Sequence, residues 1–98
     1  MSSSTQGQYG AHNIRAHNFI CTAPQAKHVS VVGDFNNWNS SANPMQRGGD
    51  GNWSLRVDLK HGHHRYVYIV DGLVTLDPKA MGIARDDKGE RVSLIAIS

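Results

Sequence analysis

From residue 14 onward, the chain alternates between short apolar runs and clusters of turn-forming residues. The runs are rich in Val, Ile, Tyr and Phe, and clusters of Gly, Asn, Asp and Pro separate them. A sustained i, i+3, i+4 apolar spacing, the mark of an amphipathic helix, is missing from the sequence. The pattern therefore predicts six β-strands, near residues 15–22, 28–33, 52–59, 64–70, 73–76 and 91–97.

Two of these runs differ in how their apolar residues are distributed. Residues 52–60 alternate between apolar and polar side chains, which is typical of an antiparallel strand with one face in the core and one in water. Residues 64–70 are apolar on both faces, with tyrosines on one and Val67 and Ile69 on the other. This strand is expected to be covered on both sides.

Short connections join the third, fourth and fifth runs. Residues 60–63 form the first connection, and Asp71 and Gly72 between two apolar runs are a strong hairpin signal. Together they predict a three-stranded meander. A single sheet of short strands cannot enclose a core, so the predicted fold is an all-β, immunoglobulin-like (early-set) β-sandwich of two antiparallel sheets. The predicted core contains Phe19, Val29, Val31, Phe35, Trp53, Leu55, Val57, Tyr66, Tyr68, Val70 and Leu94.

Length and composition limit the classes of protein that remain. Residues 1–13 are small and polar, which predicts a flexible tail ahead of one domain at residues 14–98. Ten glycines, three prolines and 39% hydrophobic residues are typical of an ordinary globular chain. Its 98 residues are too few for the roughly 250-residue barrel of many sugar hydrolases. We therefore expect a non-catalytic module whose chemistry is performed by a partner.

Charge and cysteine content narrow the partners and the compartment. The formal charge is +2 and the basic residues are scattered, so no nucleic-acid partner is expected. Apolar runs fall far short of the ~20 residues of a membrane helix, so no membrane partner is expected either. The single Cys21 and the lack of a secretory leader pattern favour a reducing cytoplasm, with Cys21 as a small buried hydrophobe.

The most informative segment is the Gly-Asp-Phe-Asn-Asn-Trp turn that ends at Trp38. A predicted strand ends at Gly33, and Asn37 and Asn39 flank the tryptophan. Such a tryptophan either covers the end of the sandwich or presents a flat platform. A sugar ring can stack on such a platform because its C–H groups form an apolar patch. Its hydroxyls can form hydrogen bonds with polar neighbours such as Asn37. The pattern alone favours the covering role over the platform.

Several motifs together resemble carbohydrate-binding module family 48. They are the turn ending at Trp38, Pro44-Met45, Trp53, the run from Tyr66 to Gly72, and Asp77-Pro78. The family includes the glycogen-binding domain of the AMP-activated protein kinase β subunit and the early-set domain of branching enzymes and isoamylases. The resemblance implies an immunoglobulin-like sandwich without cofactor that binds α-glucan oligosaccharides or glycogen, or that docks beside a family 13 glycoside hydrolase.

The family's sugar contacts carry over to this sequence at one position of five. Trp38 matches the stacking tryptophan of the turn, whereas Leu73-Val74 stands where a second tryptophan follows the hairpin. Val67 stands where the family has a sugar-contacting lysine, and Lys88 and Val92 stand where it has leucine and asparagine. The resemblance therefore implies weak glucan binding through Trp38, with Lys88 as a further candidate contact.

The replacements also suggest a different role for the same face. Val67, Ile69 and Val74 are expected to form an apolar surface where the kinase domain carries sugar, and such surfaces usually contact proteins. The alternative function is thus a dimerisation or interaction module that has lost sugar binding, with a second copy or a glucan-metabolising enzyme as partner. Coverage of this face by the tail or a neighbouring strand is equally open.

Two other clusters suggest chemistry but are interpreted structurally. His61, His63 and His64 lack the Cys pair and fourth ligand of a structural zinc site, so we expect a solvated turn and no metal. The carboxylates cluster at turns, where aspartate usually organises backbone hydrogen bonds, and no catalytic pair is expected. These carboxylates are Asp34, Asp71, Asp77, Asp86, Asp87 and Glu90.

Overall fold

A computed structural model describes residues 14–98, and the predicted tail at residues 1–13 lies outside this range. In the described part the chain forms eight β-strands and one short 3₁₀ turn, Asp34–Asn36. The strands are β1 (Ile14–Thr22), β2 (Val29–Gly33), β3 (Gln46–Arg47), β4 (Asn52–Lys60), β5 (Gly62–Val70), β6 (Leu73–Thr75), β7 (Gly82–Arg85) and β8 (Arg91–Ile97). Across residues 14–98, no helix has the length and apolar character needed to cross a membrane.

The strands form two antiparallel sheets, which confirms the predicted sandwich. The smaller sheet has the order β1-β4-β3, and β1 pairs with β4 along its full length, from Ile14 opposite Lys60 to Thr22 opposite Asn52. The larger sheet has the order β2-β5-β8-β7, with β6 also paired to β5. All six predicted strands are present. The sequence missed β3 and β7, which are short and mostly exposed.

The inward faces of the two sheets form one main core. Its fully buried members include Phe19, Val31, Leu59, Tyr66 and Tyr68. Predicted core residues Phe35, Leu55, Val57 and Val70 are partly buried against it, while Leu94 is outside the core. The prediction assigned the wrong face of β8 to the core. Ile95 and Ile97, rather than Leu94, are the residues of β8 that point into it.

The predicted meander is wrong in its first connection. Strands β4 and β5 follow one another with only His61 between them, but they belong to different sheets. Gly62 has φ 124°, a backbone conformation that side chains disfavour, at the point where the chain changes sheet. The second connection is a true hairpin: Val70 pairs with Leu73, and Asp71 and Gly72 both have positive φ, as a type I′ turn requires.

A second apolar cluster covers the outer face of the larger sheet, and we call it the outer cluster. Val32, Val67 and Val92 are its buried members, drawn from β2, β5 and β8. Partly buried residues packed against them are Trp38, Ile69, Leu76 and Ala84. The outer cluster explains why β5 is apolar on both faces: its tyrosines face the main core and its aliphatic residues face this cluster.

Asp77 and two tyrosines form a partly buried polar group between the two sheets. Tyr66 donates its hydroxyl proton to Asp77 Oδ2 at 2.6 Å. The Tyr68 hydroxyl lies 3.2 Å from the same oxygen and 3.1 Å from the backbone oxygen of Ile20 in β1. Burial, reinforced by the Asp77 carboxylate, raises the pKa of both tyrosines well above the ordinary value. Both hydroxyls therefore stay protonated, and that of Tyr68 connects β5 to the opposite sheet.

Candidate functional site

The turn after β2 begins where two strands come very close together. A Cβ on Gly33 would lie 2.5 Å from the backbone oxygen of Arg65 in β5 and 2.5 Å from Cε2 of Phe35. Only glycine fits this space without moving a neighbour. The backbone N–H of Trp38 then donates to the Gly33 oxygen at 2.9 Å, which closes the turn. The turn is thus anchored directly on the larger sheet.

The side-chain amide of Asn36 fixes the inside of this turn. Its Oδ1 accepts the Gly33 backbone N–H at 3.0 Å. Its Nδ2 donates to the Val31 backbone oxygen at 3.1 Å and to Asn43 Oδ1 at 2.7 Å. One amide therefore joins the end of β2, the 3₁₀ turn and the following loop. The sequence drew attention to Asn37, but Asn36 organises the turn.

Asn37 and Trp38 both adopt left-handed backbone conformations. Their φ angles are 57° and 58°. Asparagine tolerates this region, whereas a bulky side chain such as tryptophan rarely occupies it, and the conformation costs roughly 1–2 kcal/mol. The contacts of Gly33 and Asn36 hold the strained residue in place. Backbone strain of this kind is concentrated at functional sites.

The indole of Trp38 is half-buried and borders a surface cavity. It packs against the outer cluster of the larger sheet. It also lines a cavity of about 230 Å³ together with Asp86, Asp87 and Lys88 from the β7–β8 loop. Trp38 is therefore neither a lid over the main core nor a free side chain. Its indole forms one side of the open cavity, and charged residues of the β7–β8 loop form the other side.

Internal hydrogen bonds hold the β7–β8 loop that forms the other side of the cavity. Asp86 Oδ1 accepts the backbone N–H groups of Lys88 and Glu90, each at 2.9 Å. The guanidinium of Arg85 donates to the Gly89 oxygen at 2.7 Å. These hydrogen bonds fix the backbone of the loop and leave Lys88 and Asp87 exposed beside Trp38. Asp86 thus acts as a turn former.

The residues predicted for an apolar contact face do not all reach the surface. Val67 is 4% exposed and lies in the outer cluster, so it cannot contribute to such a face. Ile69 is partly buried against the same cluster. Val74 is 69% exposed and Leu73, next to it in the hairpin, is 71% exposed. The prediction failed for Val67 because Trp38 and its neighbours cover the central strand. Leu73 and Val74 are therefore the exposed apolar residues of the hairpin, and Ile14, Ile20, Met81 and Ile83 are exposed elsewhere in the described residues.

The three histidines around residue 62 do not converge. His64 already has both ring nitrogens in hydrogen bonds, to Asp34 Oδ1 at 3.0 Å and to the Lys60 backbone oxygen at 2.8 Å. Among residues 14–98, no group of three or more His, Cys, Asp or Glu is arranged to hold a metal ion. Cys21 is buried, and burial raises the pKa of its thiol.

Asp71 has a structural role at the hairpin. Its Oδ1 accepts the backbone N–H groups of His28 at 2.8 Å and Lys27 at 2.9 Å. These two hydrogen bonds hold the pKa of the Asp71 carboxyl below its ordinary value, and the one from His28 has the larger effect. The β5–β6 hairpin is thereby tied to the segment that leads into β2.

A two-sheet antiparallel sandwich with a strained aromatic turn on one outer face defines a small immunoglobulin-like domain. The model of a family described as the glycogen recognition site of AMP-activated protein kinase matches residues 18–98. The chain belongs to this family, carbohydrate-binding module family 48, and the resemblance drawn from the sequence motifs is confirmed.

Its similar proteins include much longer enzymes. A 1,4-alpha-glucan branching enzyme of Deinococcus radiodurans is 43% identical over 61 residues, covering 62% of this chain and 9% of that enzyme. Enzymes of the same name from Rhodopseudomonas palustris and Novosphingobium aromaticivorans are each 34% identical, over 88% and 89% of this chain. The chain spans 13% and 14% of those two relatives.

Proposed function

We propose that the chain is a non-catalytic module that binds α-glucan chains weakly through Trp38. One observation carries this proposal: the Trp38 indole, on a strained and anchored turn, borders an open cavity with exposed polar groups. A glucose ring stacked on the indole would place its hydroxyls near Lys88 and Asp87 on the facing loop. Asn37, exposed on the turn beside Trp38, is the third polar candidate.

The expected affinity follows from the number of contacts. Covering about 40–100 Å² of apolar surface on one aromatic face contributes roughly 1–2.5 kcal/mol at about 25 cal/mol/Å². Two or three hydrogen bonds to sugar hydroxyls add about 1 kcal/mol each. The sum is near 4 kcal/mol, which corresponds to a Kd of about 1 mM. Val67 and the Leu73-Val74 pair supply neither a lysine nor a second platform, which supports a weak single site.

A titration of the domain with maltoheptaose, followed by NMR, tests this proposal. We expect fast-exchange shifts of the Trp38 indole signal and of the amides of residues 86–89, with a Kd of about 1 mM. Trp38→Ala is expected to remove the binding. Trp53 is the matched control signal, because its indole N–H donates to the Ala23 oxygen inside the core.

Two results would contradict the proposal. One is the absence of any shift with either maltoheptaose or glycogen at saturating concentration. The other is shifts confined to a different face and unchanged in Trp38→Ala. A folded Trp38→Ala protein, judged by its circular dichroism, is required before its loss of binding counts.

A second candidate function rests on the exposed hairpin. Leu73 and Val74 are 71% and 69% exposed, which is unusual for adjacent large aliphatic residues. They favour a contact with a second copy or with a glucan-metabolising enzyme, in line with the branching enzymes among the relatives. Sedimentation of the domain at high concentration, with Leu73→Ser/Val74→Ser as comparison, tests self-association. A purely monomeric wild type would exclude the homodimer.

A further inference from the structure

His64 is held between two hydrogen-bond acceptors. Its Nδ1 lies 3.0 Å from Asp34 Oδ1, and its Nε2 lies 2.8 Å from the backbone oxygen of Lys60. The side chain is 14% exposed. It therefore connects three segments: the 3₁₀ turn that carries Asp34, the end of β4 that carries Lys60, and its own strand β5.

The chemistry of imidazole gives this arrangement a preferred charge state. A neutral ring has one N–H donor and one acceptor nitrogen, whereas the protonated ring has two N–H donors. In either neutral form, one ring nitrogen would direct its lone pair at an oxygen about 3 Å away. Only the imidazolium donates to both acceptors. The full set of hydrogen bonds thus requires a protonated His64.

The pair formed with His64 lies at the beginning of the Trp38 turn. The second oxygen of Asp34, Oδ2, accepts the backbone N–H of Arg65 at 3.0 Å. Asp34 is also the first residue of the 3₁₀ turn that leads to Trp38. The rings of His64 and Phe35 are in edge contact, with centroids 6.3 Å apart. Loss of one His64 hydrogen bond therefore acts on the same short segment that places the indole.

Other charged groups surround this position. Asp58 and Lys60 of β4 and His63 of β5 line a cavity of about 440 Å³ together with Asp34 and His64. His63 is exposed. As an exposed histidine next to His64 in the same strand, it serves as the matched control.

We propose that His64 is a proton-dependent positioning residue for the Trp38 turn, and we call its two hydrogen bonds the clamp. The protonated ring makes both hydrogen bonds, and the neutral ring makes only one. The direction follows from the hydrogen bonds: raising the pH through the range in which histidines lose their proton, about 5 to 8, loosens the turn. For glucan affinity the inference rests on the proposed function. For the turn itself it stands on the geometry alone.

The first experiment needs no ligand. We expect the Trp38 indole signal and the Trp38 and Arg65 amide signals to shift with pH, with the same midpoint as the His64 ring protons. The Trp53 indole should not follow. In His64→Gln these coupled shifts should disappear, and in His63→Gln they should remain. Trp38 and Arg65 signals that stay constant while His64 titrates in the wild type would overturn the proposal, whether or not the variants fold.

The second experiment adds sugar. The Kd for maltoheptaose is expected to rise about three- to tenfold from about pH 5.5 to about pH 8, the effect of one lost hydrogen bond of ordinary net strength. His63→Gln should keep this dependence and His64→Gln should lose it. Measurable binding without any pH dependence would overturn the regulatory role. Absence of binding at every pH would refute the proposed function. The role of His64 in positioning the turn would then be tested by the ligand-free titration alone.

Discussion

At the scale of single residues, the Trp38 turn depends on small polar groups rather than on its aromatic residue. Trp38 occupies a backbone conformation that disfavours it, at φ 58°. The groups that hold it there are the amide of Asn36 and the carboxylate of Asp34, which reach β2, β5 and the following loop. The turn is therefore preorganised before any ligand arrives, which limits the entropy cost of binding.

The substitution Asn36→Ala tests this dependence. It removes three hydrogen bonds, to Gly33, Val31 and Asn43, in a half-buried setting. We expect the free energy of unfolding to fall by about 1–3 kcal/mol, measured by urea denaturation. The comparison variant is Asn37→Gly, at an exposed position with φ 57°, where glycine is at no disadvantage. An Asn36→Ala protein as stable as Asn37→Gly would show that the amide does not hold the turn.

At the scale of elements, alternation and turn chemistry predicted the strands, but not their assignment to sheets. The alternation of β4 and the Asp71-Gly72 hairpin were correct, because local side-chain pattern and turn geometry determine both. The first connection of the meander was wrong, because a one-residue link can change sheets when Gly62 adopts φ 124°. Strands β3 and β7 were missed because short edge strands bury few residues and leave little pattern.

The candidate site was predictable only where a local sequence motif marks its residues. Trp38 and Lys88 stood out from the turn motif and from the family resemblance, and the structure brings both to one cavity. Val67 was misplaced because alternation shows which face a side chain shares, but not what covers that face. The pairing of Asp34 with His64 joins residues 30 positions apart, and no local pattern signals it.

Gly33→Ala is the prediction that belongs to the packing of elements. The added Cβ would lie 2.5 Å from the Arg65 oxygen, so β2 and β5 must separate. We expect a loss of about 1–3 kcal/mol in unfolding free energy and greater acrylamide quenching of Trp38. Gly49→Ala, whose Cβ would meet nothing within 4 Å, is the control and should change neither quantity. Equal stability of the two variants would contradict the close approach.

At the scale of the whole molecule, the sheets are joined by a partly buried polar group as well as by apolar packing. Tyr66 and Tyr68 meet at Asp77, and Tyr68 also reaches Ile20 on the opposite sheet. Burial raises the pKa of both tyrosines above the ordinary value of about 10. The folded protein therefore retains protons that the unfolded chain releases.

Alkaline titration tests this linkage. The stabilising contribution is complete below about pH 10 and decreases as the pH rises further, because the unfolded state then binds fewer protons than the folded state. The sequence has a third tyrosine, Tyr9, which is replaced by phenylalanine so that the absorbance reports Tyr66 and Tyr68 alone. In this Tyr9→Phe variant, tyrosinate absorbance is expected to appear together with the loss of circular dichroism. Tyr66→Phe should reduce the pH sensitivity. Gradual ionisation near pH 10 with the fold intact would contradict the linkage.

The contacts that anchor the Trp38 turn have a consequence for folding during synthesis. Asp34 reaches its partners His64 and Arg65 across 30 and 31 positions of the chain. Contacts so distant in sequence form only after a long loop closes, and they generally make folding slow. During synthesis, the segment around Trp38 leaves the ribosome well before these partners do. We therefore expect a nascent chain to fix the position of the Trp38 indole only after β5 has emerged and paired.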